Sequence, residues 1–385
     1  MTAFAKHTLL SVRVLGFLML SLVMIGPVFG TEGSLLDLEN PDIGRSATPE
    51  TVSAGPIQNI NFGGAFDARF LVPSGEKGRL LLHVSELVLT ATIGDNISIL
   101  AEQLLQTDDL VSVVGQDHGF AYAIFSNYPF FPEGFSVKVG RFRAKWGYDA
   151  RSDSASNMIQ SLAIRSVGQI TDLGIEVSGY LAQSVDFNIA LQNGPNTLFI
   201  DTTDGTGGTI QAKNMAENPR NSYFARLYNE LSSNLGVGVS YFSGNSYSWR
   251  NGLGFSHETM QVYGTLDRSQ LVGIQRYAID AALKVGKWTF NGEFGFGSDT
   301  GPGAERQVQA YMGRLDYDFV PGVFSGMLQI DYIHDGDSGT EDQPIGSIEG
   351  TVRLTDTSVL RPFYIRGLRS GTQGQLMGIQ LLLSF

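Results

Sequence analysis

The sequence predicts an all-β fold: a transmembrane antiparallel up-and-down β-barrel of about 16 strands, with counts from about 14 to 18 meeting the same pattern. Three observations carry this. Apolar and polar residues alternate with a period of two in segment after segment, while helical spacing is nowhere sustained. The connections between these segments alternate between short and longer ones. The chain ends on an alternating strand whose last residue is Phe385.

Ahead of the barrel, residues 1–30 read as an export signal. Lys6 and Arg13 open it, an apolar run from Val14 to Ile25 follows, and Val28-Phe29-Gly30 supplies small-residue cleavage context. That run falls short of the about 20 residues a spanning helix needs, so cleavage is expected rather than anchoring. Past Gly30 no stretch approaches about 18 consecutive apolar residues, and no transmembrane helix is expected. Residues 31–56 are rich in Glu, Asp, Ser, Pro and Gly without periodicity and read as a flexible periplasmic leader, and 57–385 as the barrel. Glu50-Thr51-Val52-Ser53-Ala54 faintly resembles the TonB box of active transporters; with no plug-sized domain before the first strand, it is read as a chance polar pentapeptide.

Composition agrees with this architecture. A mean hydropathy of +0.00 is what strands with one lipid face and one wet face average to. The 47 glycines and 11% aromatic residues suit tight turns and pleated strands. There is no cysteine, so disulfides do not hold this exported chain and haem cannot be attached through thiols. Taking Lys6 and Arg13 from the 26 basic residues leaves 24 against 38 acids, a mature net charge of −14, which argues against nucleic acid as a partner.

The first strand is the clearest. Ile60, Phe62, Gly64, Phe66, Ala68, Phe70 and Val72 fall on one face, with Asn59, Asn61, Asp67 and Arg69 on the other. The pattern returns at Leu173–Leu181, Val185–Leu191, Leu235–Tyr241, Tyr277–Val285, Trp288–Phe296, Phe324–Tyr332 and Ile348–Leu354. It is blurred between Leu80 and Ile93 by His83 and Glu86. Tight turns are expected at Gly94 to Asn96, Ala182 to Ser184, Ser232 to Asn234, Gly286-Lys287, Phe319 to Gly322 and Thr355 to Ser358, with a longer one at Asn127 to Gly134. External links are expected at Gln106 to Asp117, Ala144 to Thr171, Gly194 to Asn221, Gly244 to Ile274, Ser298 to Ala304 and His334 to Pro344, with brief ones at Pro73 to Gly78 and Arg369 to Thr372. Gly254 to Leu266 is assigned to the fourth of these, although it could extend a strand.

At the end of the chain Met377, Ile379, Leu381, Leu383 and Phe385 share one face opposite Gly378, Gln380 and Ser384. An apolar face toward lipid and an aromatic terminus at the interface explain that order. A soluble sandwich would instead turn its polar residues to solvent.

If the polar faces point inward, the candidate pore-lining bases are Arg69, Lys138, Arg226, Lys284 and Arg353, and the acids are Asp67, Glu102, Glu176, Asp186, Asp280, Glu293, Asp331 and Glu349. The wall is then mixed and slightly negative, which predicts weak selectivity leaning toward cations. Arg141 and Arg143 point to lipid by strict alternation from Val137, whereas a bulge at Gly140 would turn both inward. Asp335, Asp337, Glu341 and Asp342 match no calcium motif and read as a solvated acidic loop; no metal site and no cofactor are expected.

Val137-Lys138-Val139-Gly140-Arg141-Phe142-Arg143 before a long loop, Asp172-Leu173-Gly174-Ile175-Glu176-Val177-Ser178-Gly179 and Phe187-Asn188-Ile189-Ala190-Leu191-Gln192-Asn193-Gly194-Pro195 resemble the phosphate-selective porin O and P superfamily. Tyr223-Phe224-Ala225-Arg226-Leu227 and Gly236 to Gly244 continue the likeness over nearly the whole mature chain. The resemblance implies an outer-membrane porin of a Gram-negative bacterium: a sixteen-stranded, often trimeric, water-filled channel for passive diffusion of small hydrophilic solutes and ions. It also implies outer-membrane lipid as surroundings and recognition of Phe385 by the barrel assembly machinery. A third external loop would fold inward and narrow the pore, and Ala144 to Thr171 takes that place. Its charged residues, Lys145, Asp149, Arg151, Asp153 and Arg165, do not form a dense basic ladder, so phosphate specificity is not carried over.

Two other functions were weighed. A sleeve around a partner, such as a multihaem cytochrome conduit, would share the barrel but not conduct alone. An outer-membrane lipase or protease needs a nucleophile or acid pair beside a histidine, and His83, His118, His257 and His334 sit in no such signature, so no enzyme is expected.

Overall fold

The computed structural model describes residues 52–54, 57–73, 77–107, 120–148, 171–182, 184–193, 221–255, 262–301, 304–335, 344–369 and 372–385. Among them there is no α-helix. The strands are β1 (Val52–Ala54), β2 (Ile57–Pro73), β3 (Arg79–Ile93), β4 (Ile97–Thr107), β5 (Ala121–Ser126), β6 (Ser136–Arg143), β7 (Thr171–Ala182), β8 (Val185–Gln192) and β9 (Ser222–Ser232). They continue with β10 (Leu235–Phe255), β11 (Val262–Val285), β12 (Trp288–Gly301), β13 (Ala304–Val320), β14 (Phe324–Asp335), β15 (Ile345–Thr355), β16 (Ser358–Arg369) and β17 (Thr372–Ser384).

From β2 onward each strand pairs antiparallel with the next, and β17 pairs back onto β2, from Leu376 opposite Pro73 to Ser384 opposite Ala65. The sheet therefore closes as a barrel of sixteen strands, β2 to β17. Closure removes the open edges that a flat sheet would expose. The seam is finished at the chain end. Gly64 donates its N–H to the Phe385 carbonyl at 3.0 Å, and Phe385 donates back to Gly64 at 3.1 Å. Beyond that pair, β1 occupies the same edge of β2, with Val52 opposite Ile60 and Ala54 opposite Ile57. Three residues of the segment read as an aperiodic leader, and of the TonB-box-like pentapeptide, are thus strand.

Turn chemistry closes the hairpins at one end. Val285 and Trp288 face each other across Gly286-Lys287, where Gly286 takes φ +60°, as a two-residue hairpin turn requires. Gly94, in the β3–β4 turn, has φ +55° for the same reason. At the other end two expected links are corrected. Gly244 to Ile274 is not a loop: β10 and β11 run through it, staying paired from Leu235 opposite Leu283 to Phe255 opposite Val262. The ladder shifts register between Tyr247 and Ser248 and again between Arg250 and Leu253. Those shifts break strict two-residue periodicity, which is why the strand did not show in the sequence. Ser298 to Ala304 is also shorter than expected, with Gly301 already paired to Ala304. At Gly140 the ladders to β5 and β7 continue without a shift, so Arg141 keeps the phase of Val137 and Val139 rather than turning inward.

The two faces of the wall are inverted relative to a soluble protein. On β2, Phe66 and Phe70 are exposed while Asp67 and Arg69 are each 2% exposed. On β14, Leu328 and Ile330 are exposed while Gln329 and Asp331 are buried. Rings on the outward face also gather at two heights. Trp288 lies 4.3 Å from Tyr317, Tyr317 4.8 Å from Phe319 and Phe319 4.7 Å from Phe324, beside the tight turns. Farther up, Tyr241, Tyr277 and Phe296 stack in sequence at 5.2 and 5.3 Å, and Phe294, Tyr311 and Tyr332 follow at 4.8 and 5.8 Å. On β12 the two belts are separated by the stretch from Trp288 to Phe296, about 27 Å of strand and roughly 20 Å of height at the usual tilt. That height is close to the apolar thickness of an outer membrane.

Candidate channel interior

The inward face is built by alternation, and its charges are matched across neighbouring strands or along one strand. Arg69 reaches Asp67 on β2 at 2.6 Å. Lys138 on β6 bonds Glu176 on β7 at 2.7 Å, directly opposite in the ladder, and its ammonium sits 5.2 Å from the ring centres of both Tyr122 and Phe142. Arg226 on β9 grips both oxygens of Asp280 on β11 at 2.5 and 2.8 Å, reaching over Gly238 of β10, where no side chain intervenes. A Cβ at Gly238 would collide with both partners. Burial of these groups is tolerable because each charge is paired and hydrogen-bonded.

The other expected interior residues are placed as follows. Glu293 is buried on β12, and Asp331 is buried on β14, accepting from Gln329 at 2.6 Å. Glu349 is buried on β15, where its carboxylate accepts from Thr351 at 3.0 Å and lies 3.7 Å from Arg361. Glu102 accepts from the Phe120 N–H at 3.5 Å. Asp186, Lys284 and Arg353 are half-buried close to the tight turns. The structure therefore joins Asp67 to Arg69, Lys138 to Glu176 and Arg226 to Asp280, and sets Glu293 directly opposite Asp280 in the ladder.

Three arginines escaped the sequence reading. Arg276 bonds Asp299 at 2.5 Å, Arg314 bonds Asp316 at 2.9 Å, and Arg361 bonds the Gln380 amide oxygen at 3.0 Å besides lying near Glu349. Arg276 adjoined the segment taken for a loop. Arg361 shares its face with Val359 and Phe363, both buried, so its phase reads as apolar. The signal for Arg314 and Asp316 was present, since both alternate with Leu315 and Tyr317. Arg276 and Arg314 arrive with carboxylates of their own, Asp299 and Asp316, so the acid excess expected of the wall persists.

An apolar body also lies inside. The segment that leaves β6 turns inward rather than out: Ala144 and Trp146 are 0% exposed and pack with Phe142, Ala190, Phe224, Phe242, Ile274, Ala278 and Ala310. Gly147 donates its N–H to the Ser240 hydroxyl on β10 at 3.0 Å, and the Glu293 carboxylate of β12 fills the space a Cβ at Gly147 would need. In a few residues the chain thus passes from the β6 wall to β10 and β12. Lys145 is half-buried in this segment. Asp149, Arg151, Asp153 and Arg165 lie outside the described residues, as do residues 1–30, His118, His257, Asp337, Glu341 and Asp342. Among the described residues no cluster of His, Asp and Glu could hold a metal ion.

A closed sixteen-stranded barrel with charged residues inside and rings outside defines the class as a porin-like β-barrel. No family model matches the sequence, and no curated protein matches it. Solved structures do match in fold. An outer-membrane protein of Vibrio cholerae, OmpT folded in vitro, aligns at TM-score 0.61 and 10% identity over 87% of this chain and 100% of its own. The outer-membrane channel DcaP of Acinetobacter baumannii aligns at TM-score 0.57 and 13% identity, covering 86% of this chain and 99% of that one. An anion-selective porin from Comamonas acidovorans aligns at TM-score 0.57 and 10% identity, covering 85% and 99%.

Proposed function

We propose that this chain forms a water-filled channel in the outer membrane of a Gram-negative bacterium, through which small hydrophilic solutes and ions diffuse passively with weak selectivity. The observation that carries this is the inversion of the wall, with Phe66, Phe70, Leu328 and Ile330 turned out and Asp67, Arg69, Gln329 and Asp331 turned in. Outward rings need lipid, and a sixteen-stranded barrel encloses more space than its own side chains fill. Weak selectivity follows from matched charge. Arg69, Lys138, Arg226, Arg276, Arg314 and Arg361 each stand beside a carboxylate, so among the described residues no ring of one sign is formed.

The same reading includes cleavage of residues 1–30, recognition of the terminal Phe385 by the assembly machinery, assembly as a homotrimer and kinship with the phosphate-selective porin O and P superfamily. It assigns no catalytic step. The test is single-channel recording in a planar bilayer with reversal potential measured across a salt gradient. Steady conductance with a small reversal potential is expected. A purified barrel that conducts only with a co-purifying occupant would favour a sleeve, and strong anion preference would contradict weak selectivity.

A further inference from the structure

We propose that Arg314 and Asp316 of β13 are the charges a permeating solute meets, and that the Arg226–Asp280 pair is a sealed strut of the wall. This rests on the channel reading and deepens it.

The argument begins with access. A charge sorts solutes only if water and solute reach it, whereas a pair shut off from water acts on the fold alone. Among the ion pairs of the described residues, Arg226 and Asp280 retain 4% and 3% of their side-chain surface, whereas Lys138 keeps 16% above a Glu176 that keeps 1%. Arg69–Asp67, Arg276–Asp299 and Arg361–Glu349 are closed to a similar degree. Arg314 and Asp316 keep 18% and 25%, so both members are open.

The position explains the difference. Phe142, Trp146, Phe224 and Phe242 pack together over the β6–β11 wall, and that apolar body lies on the same inward face as the Arg226–Asp280 pair. The inward segment reaches β12 at Glu293, whose ladder partner on β13 is Met312, one inward position from Arg314. The Arg314 pair is therefore an open pair of wall charges beside the inward segment. Asp316 is fixed there by Arg314 at 2.9 Å and by the Asn291 amide at 3.1 Å. Lys284 and Arg353 are half-buried too, but they stand by the turns Gly286-Lys287 and Asp356-Thr357, at the mouth, where bulk salt screens them. Because Arg314 and Asp316 are opposite in sign on one strand, passing cations and anions each find a partner, and the net preference is small.

Charge removal separates the two classes. Asp316→Asn leaves Arg314 uncompensated and is expected to lower the cation-to-anion permeability ratio by about twofold or more, and Arg314→Gln to raise it by a similar factor. Asp280→Asn is expected to lower thermal stability and leave the ratio unchanged. The absence of native cysteine allows a second measurement that does not depend on stability. Asp316→Cys is expected to react with a charged, water-soluble methanethiosulfonate in the folded barrel, and Asp280→Cys to resist it. A wild-type barrel that conducts nothing overturns the channel reading, and this inference with it. A conducting barrel in which the Arg314 and Asp316 variants keep the wild-type ratio, or in which Asp280→Asn shifts it equally, overturns this inference alone.

Discussion

The backbone N–H of Gly147 donates to the hydroxyl of Ser240 at 3.0 Å, joining the segment that leaves β6 to the wall at β10. Ser240 in turn accepts from Arg226 at 2.9 Å, so one hydroxyl ties the inward segment to the Arg226–Asp280 pair. The seat is demanding. Gly147 has φ +64°, and the Glu293 carboxylate fills the space a Cβ would need.

Gly147→Ala should therefore dislodge the segment. The left-handed backbone alone costs about 1 kcal/mol for a residue with a Cβ, and the steric conflict with Glu293 adds to it. The expected outcome is a folded barrel with altered single-channel conductance. Gly346→Ala is the control, because a Cβ there meets nothing within 4 Å. Equal conductance in wild type and Gly147→Ala would show that the segment does not shape the path.

Breaking the Arg226–Asp280 pair should cost far more than its modest distance from solvent suggests. Asp280→Ala leaves a guanidinium buried without its carboxylate, a loss of about 3–5 kcal/mol. Replacing both members, as Arg226→Met with Asp280→Leu, should recover most of that stability. Reversible urea unfolding of barrels refolded into lipid vesicles measures both. A single variant within about 1 kcal/mol of wild type would contradict the burial of this pair.

The outward face makes a separate prediction. Ile330, exposed on β14 between the two aromatic belts, should be intolerant of charge, with Ile330→Arg costing about 2–4 kcal/mol in lipid. The measurement is the same unfolding titration in vesicles. A cost near zero would place Ile330 outside the hydrocarbon layer.

Phe385 closes the seam through two backbone hydrogen bonds to Gly64. Deleting it should lower the stability of the refolded barrel by about 1–3 kcal/mol, two net hydrogen bonds. The yield of heat-resistant barrel in the outer membrane should fall more than this, if the terminal aromatic is also read during assembly. Comparing the two yields, in vesicles and in cells, separates the contributions.

Much of the architecture was legible beforehand. The alternation on β2, β8, β14 and β17 and the glycine turns at Gly94 and Gly286 each depend on residues adjacent in sequence, and local chemistry states them openly. The limits were equally physical. Two register shifts hid the outer parts of β10 and β11, because a bulge moves side chains to the opposite phase without changing composition. Arg361 was masked by apolar neighbours on its own face. Gly140 suggested a bulge that the unbroken ladders do not contain.

Period-two patterning, even spacing of turns and a terminal aromatic strand were enough to indicate that the wall closes and which face turns outward, since those properties are written residue by residue. Which carboxylate each arginine takes, and that Trp146 and Gly147 fold back onto Ser240, ninety-three positions away, emerged only once the strands were assembled. Contacts between distant residues leave no mark on local periodicity, and the division of the interior charges into open and sealed is made entirely of such contacts.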